Sequence, residues 1–123
     1  DTSKVTNMSN MFSSSVATEI KGLEKFNTSK VTDMNGMFSS SKVTTLNLSS
    51  FDTSKVTDMS NMFYGSKATT LDLSSFDTSN VTNMIQMFWN SKITTGYART
   101  QEDADRFNAS SHKPSTLTFV VKS

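Results

Sequence analysis

The chain carries one histidine, His112, and no cysteine, so the side chains that most often hold zinc or activate a nucleophile are nearly absent. His112 stands beside Lys113 and Pro114, with no second ligand near it in sequence, and is expected to be a solvent-exposed loop residue. Serines are abundant, but none occupies a strand-to-helix nucleophile turn and the repeats supply no base to activate one. Asp1, Asn27, Asp52 and Asp77 recur at one position. A column of carboxylates could gather calcium, which favours clustered oxygen ligands. No calcium-loop spacing is present, and Asp or Asn before Thr-Ser fits an Asx turn, in which the side chain caps its own backbone. The eight methionines could form a soft-metal site or an adaptable surface, yet their fixed phase with Val and Phe assigns them to a core. Tyr64 and Trp89 follow the repeated Phe where earlier repeats have Ser13 and Ser39, and could stack on a sugar or a peptide. No catalytic residue, cofactor site or metal site emerges, and the chain is expected not to be an enzyme.

What positions these groups is a repeat. Aligned on Val-x-x-Met-x-x-Met-Phe, the chain gives Val5, Val31, Val56 and Val81, and each is followed by two methionines and a phenylalanine in the same register. A period near 25 residues makes one turn of a solenoid per repeat, which must stack on its neighbours to bury its apolar side. The expected fold is an α/β repeat solenoid, leucine-rich-repeat-like, with coils near 1–26, 27–51, 52–76 and 77–99. In each coil a Leu-x-Leu stretch reads as a short strand: Leu46 and Leu48, then Leu71 and Leu73, point inward. Phe51 and Phe76 wedge the turn that follows, and Val56, Met59, Met62 and Phe63 fit one or two helical turns on the opposite side, capped by Thr57. The first coil has one extra residue within Ser13–Leu23, which predicts a bulge or frayed strand there. The fourth has Gly96 and Ala98 at the Leu-x-Leu positions. Thr100 followed by Asp103 resembles an N-cap and predicts a helix from about Gln101 to Ala109. A loop through Pro114 and a closing strand over Leu117–Val121 would complete a terminal cap at 100–123, separate from the solenoid at 1–99.

The composition narrows the partner. Twelve Lys and Arg balance eleven Asp and Glu, giving a net charge of +1 with no basic run able to follow a nucleic acid backbone or an anionic membrane. Neither nucleic acid binding nor membrane insertion is expected, and the chain should be a monomer. Apolar residues make up only 34%, low for a single closed core but sufficient for a narrow column. Asp1 occupies the same repeat position as Asn27, Asp52 and Asp77, so further repeats are expected upstream. Stacking would place the outward residues in rows, Thr45 with Thr70 and Thr95, Asn47 with Asp72 and Tyr97, and Ser49 with Ser74 and Arg99. That polar face is the expected contact surface, with Tyr64 and Trp89 a weaker second.

The units Ser-Ser-Phe-Asp-Thr-Ser-x-Val-Thr-x-Met-x-x-Met-Phe resemble the BspA-like leucine-rich repeats of bacterial, Gram-positive surface proteins over residues 1–95, and the segment from Tyr97 to Val121 is similar to the tail that ends such arrays. The resemblance implies a secreted, wall-anchored protein that binds a host or extracellular-matrix protein or glycan. A structural spacer holding other domains away from the wall is the alternative, and the fold alone does not separate the two.

Overall fold

A repeat at fixed period sets like residue against like, and the computed structural model, which describes residues 2–122, shows how the backbone uses this. In the Val-x-x-Met-x-x-Met-Phe segments alternate amides leave their own repeat and donate to the next. Met34 N reaches Asp58 O, Phe38 N reaches Met62 O and Phe63 N reaches Met87 O, each at 2.9 Å. The amides between them fold back locally, as Met37 N to Met34 O and Met62 N to Met59 O at 3.2 Å. Parallel bridges Asn7–Asp33, Asp33–Asp58 and Asp58–Asn83 fix the register.

The helical turns expected over Val56–Phe63 are absent; the segment passes a bridge at Asp58 and then enters turns over 60–65. Asn10, Gly36, Asn61 and Gln86, and four residues later Ser14, Ser40, Gly65 and Asn90, all have φ between 55° and 67°. Two left-handed residues four positions apart in each repeat stop a right-handed helix, yet the chain still turns often enough to bury Val56, Met59, Met62 and Phe63 completely. Thr57 caps no helix; its hydroxyl donates to Thr32 O at 3.2 Å.

The apolar side chains stack in columns. Phe12, Phe38, Phe63 and Phe88 lie ring on ring at 5.6, 5.7 and 6.0 Å, and Phe26, Phe51 and Phe76 form a second column at 6.4 and 6.2 Å. Complete burial of such a ring is worth about 2–3 kcal/mol. Met37, Met62 and Met87 are buried as expected, whereas Met11 is 45% exposed.

Among the described residues the strands are fewer than one per repeat. A parallel three-stranded sheet runs β1 (Thr70–Leu73), β2 (Thr95–Ala98) and β3 (Thr118–Val121), in that order. Together with one helix, α1 (Gln101–Asn108), it makes the chain α/β. Leu46–Leu48, the clearest alternation in the sequence, is not in the sheet; Thr45 makes a single bridge to Glu19. Leu48 is buried while Leu46 is only partly so. In the first repeat the extra residue is absorbed by Gly22, at φ 90°, which opens a 3₁₀ turn over Leu23–Lys25 and lets Leu23 reach the core.

The end of the chain closes over the fourth repeat. The Thr100 hydroxyl accepts from Asp103 N at 3.2 Å and starts α1, which buries Ala104 and Phe107. Gly96 is in place because a Cβ there would lie 2.5–2.8 Å from the Phe119 ring. That ring takes the space a repeat leucine would fill, meeting Phe88 and Phe107 at 4.9 Å. The column of parallel rings thus ends in tilted and edge-on ones.

Candidate functional site

Outward positions of adjacent parallel strands come side by side, and here Thr70 pairs with Thr95 and Asp72 with Tyr97. β3 extends both rows, bringing Thr118 beside Thr95 and Val120 beside Tyr97. Val120 is half exposed. Lys122 then reaches diagonally back across β2, its Nζ 2.6 Å from Asp72 Oδ2. Four of the expected face residues, Thr70, Asp72, Thr95 and Tyr97, are therefore together on one surface. Sequence reasoning missed Thr118, Val120 and Lys122, since only the parallel pairing of β3 with β2 places them there.

The other expected members stand apart. Thr45 and Asn47 lie on the stretch outside the sheet, both exposed, so the rows break between them and β1. Arg99 is not a free anchor at the margin. Its Nε donates to Asp103 Oδ2 at 3.1 Å, and its Nη2 lies 3.4 Å from Asp77 Oδ1. Two carboxylates draw the guanidinium toward the start of α1 and away from the row of Ser49 and Ser74.

A cleft of about 480 Å³ opens where the rows break. Leu46, Asn47 and Ser49 form one wall, and Asp72, Ser74 and Lys122 the other. Asn47 Oδ1 is engaged by Ser49, accepting from its amide at 3.1 Å and its hydroxyl at 2.6 Å. The amide nitrogen of Asn47 is thereby left as the end that can donate elsewhere. Asp72 Oδ1 accepts from Ser74 N at 2.9 Å in the same kind of turn. Partial burial raises the pKa of Asp72, but hydrogen bonds from Lys122 and Ser74 outweigh it, and the net shift is downward. Asp72 is thus a carboxylate at neutral pH, held beside an ammonium group.

The column at the Asp-Thr-Ser turns is structural. Asn27, Asp52 and Asp77 each accept from the amide two residues on, at 2.9–3.0 Å, as an Asx turn requires; Asp1 lies outside the described residues. The Ser54 hydroxyl and amide lower the pKa of Asp52, and Ser79 does the same to Asp77. Among the described residues no three His, Cys, Asp or Glu side chains converge as a metal site would need. The threonine in the same turns forms a second internal ladder. The buried hydroxyls of Thr28 and Thr53 donate to Asp52 O at 2.9 Å and Asp77 O at 2.8 Å. For Thr78 the chain supplies no fifth turn, and Asp103 takes its place. Its carboxylate, 1% exposed, accepts from Thr78 N at 3.0 Å, Thr78 Oγ1 at 2.5 Å and Thr100 Oγ1 at 2.8 Å. Burial pushes the Asp103 pKa up, yet the hydrogen bonds from Thr78, Thr100 and Arg99 prevail and lower it. The recurrence of Thr at Thr2, Thr28, Thr53 and Thr78 was the available signal.

At the turn edge, away from the sheet, Tyr64 and Trp89 meet edge to face at 5.6 Å, and His112 covers Trp89 at 4.8 Å. His112 is exposed, as expected, but it is also a packing partner. Trp89 is 39% exposed and shares its surface with that imidazole, so it offers no open platform. Among the described residues no helix is long and apolar enough to cross a membrane.

Compared with known proteins, residues 1–101 match a family described as Mycoplasma protein of unknown function, DUF285. No curated protein and no solved structure matches the chain.

Proposed function

The chain belongs to the DUF285 family, and from that premise we propose that it is a non-catalytic recognition module displayed on a cell surface, binding a host or extracellular-matrix protein or glycan. In this reading residues 1–99 are four coils of a BspA-like, leucine-rich-repeat-like solenoid, residues 100–123 are its cap, and the module acts as a secreted, wall-borne monomer. The solenoid is supported by the repeat-to-repeat hydrogen bonds and the two phenylalanine columns. The observation that carries the recognition role is the strand face. Thr70, Asp72, Thr95, Tyr97 and Lys122 are brought from three separate segments onto one surface, and such a mixed polar and aromatic patch suits a partner that is itself polar. Immobilised matrix proteins, mucin and a glycan array, probed with the chain, test it: retention on at least one is expected, and retention on none overturns it.

A spacer is the second reading, favoured by the unbroken ring columns and amide ladders, which stiffen the chain along its stacking direction. Force spectroscopy showing high unfolding resistance, with no ligand retained in the screen, would select it.

A further inference from the structure

The cleft between the Leu46–Ser49 stretch and β1 has a chemistry more definite than the face around it. We propose that it is a binding site for a neutral glycan, with Asn47, Asp72 and Lys122 as its polar contacts. This rests on the strand face being the recognition surface and names the ligand of that face.

The groups in the cleft complement vicinal hydroxyls. A sugar diol both donates and accepts, so it needs acceptors and donors at close spacing, fixed in place before binding. Asp72 supplies the acceptors and is kept ionised and oriented by Ser74 and Lys122. Asn47, which lines the cleft, supplies the donors: its oxygen is consumed by Ser49, so its amide nitrogen is the end left to donate. The Ser74 hydroxyl can serve in either sense, whereas the Ser49 hydroxyl, whose hydrogen goes to Asn47 Oδ1, can only accept. Leu46, partly exposed on the same wall, offers an apolar surface to the C–H side of a sugar ring.

Charge and size set the class. The one carboxylate and the one ammonium in the cleft lie 2.6 Å apart and largely neutralise each other, so an acidic sugar has no unpaired cation to meet and a basic one no unpaired anion. An opening of about 480 Å³ falls within the usual range for small-ligand sites and accommodates a disaccharide. An extended peptide is less well served: Ser75 Oγ donates to Leu48 O at 2.8 Å, closing one end of the gap where an added strand would have to run.

The test titrates lactose, cellobiose, chitobiose and α-mannobiose, with sialyllactose as the anionic comparison, into the isotopically labelled chain and follows amide shifts. Variants are Asn47→Asp, Lys122→Gln and Trp89→Ala. Asn47→Asp keeps the turn, because Asp72 holds Ser74 the same way one repeat later, but it replaces the donors with an acceptor. Shifts at residues 46–49 and 72–75 with a neutral disaccharide, weakened roughly tenfold or more by Asn47→Asp and unchanged by Trp89→Ala, are expected. Binding that prefers sialyllactose, or that ignores both Asn47→Asp and Lys122→Gln, overturns the proposal. If no sugar binds up to about 10 mM while a matrix protein is retained through Tyr97, the glycan site is wrong and the recognition reading stands. If neither sugar nor protein is retained, both fall.

Discussion

Replacing Asp103 with Ala should be among the most costly single changes in the chain, although a carboxylate at the start of a surface helix would ordinarily be worth little. The side chain is 1% exposed and closes the threonine ladder. Removing it leaves the Thr78 amide and hydroxyl without their acceptor in a residue that is itself fully buried. A buried donor left unpaired costs about 1–3 kcal/mol, so the two together cost roughly 2–6 kcal/mol. Arg106 also donates to the Thr78 hydroxyl at 2.9 Å and does not replace the lost acceptor, because it carries only donors. Loss of a negative charge from the first turn of α1 adds about 0.3–1 kcal/mol. For a chain of this length the sum corresponds to a drop of roughly 10–20 °C in Tm. The loss is readable by circular dichroism at pH 7. Thr78→Val should cost less, and the double variant less than the sum of the singles, since both remove the same contact. Because the Asp103 pKa is lowered on folding, its contribution is complete above the ordinary carboxylate range near pH 4 and is lost as pH falls through the folded value below it. The wild type should therefore lose stability on acidification more steeply than Asp103→Asn. A Tm within about 2 °C of wild type for Asp103→Ala, or additive singles, would refute the role given to this carboxylate.

Met62→Asp places a charge at a fully buried position between Met37 and Met87 and should unfold the central repeats, at a cost of several kcal/mol, whereas Thr70→Asp on the exposed side of β1 should leave the melting curve nearly unchanged. Gly96→Ala drives a methyl group into the Phe119 ring and should cost about 1–3 kcal/mol, seen as a lower Tm and weakened amide protection in β3. Deleting residues 100–123 uncovers Phe88 and Ile93, both buried, and leaves β2 an open edge, so light scattering should report aggregation.

How much of this was visible in the sequence depends on which force decides each element. The columns were readable, because identical residues at fixed period must meet when repeats stack, and Phe51, Phe76, Met59 and Met62 are where that requirement puts them. The N-cap at Thr100, α1 and β3 followed from local signals that tertiary structure did not override. The turn side was misjudged because spacings of three and seven residues suit both a helix and a run of turns. What separates the two is the conformation of Asn10, Gly36, Asn61 and Gln86, residue types that include the common occupants of the left-handed region. The candidate face was only partly legible. Thr70, Asp72, Thr95 and Tyr97 share a surface by period alone, but Lys122 comes from the far end of the chain. Arg99 was lost from the face because no row predicts that Asp77 and Asp103 will hold it. Leu46–Leu48 had the best strand alternation and still lies outside the sheet, so its pattern reports burial of Leu48 more than pairing.

The central claim is that the strand face binds a partner, and the most direct measurement is the affinity of the chain for a retained matrix protein or glycan, by biolayer interferometry, before and after Tyr97→Ala. The expected result is at least about a tenfold loss of affinity with Tm unchanged within about 2 °C, because Tyr97 is half-buried on the outer side of β2 and forms no part of the core cluster. Affinity that survives Tyr97→Ala but disappears in the Tyr64→Ala, Trp89→Ala double variant would contradict the claim and move the site to the aromatic turn edge.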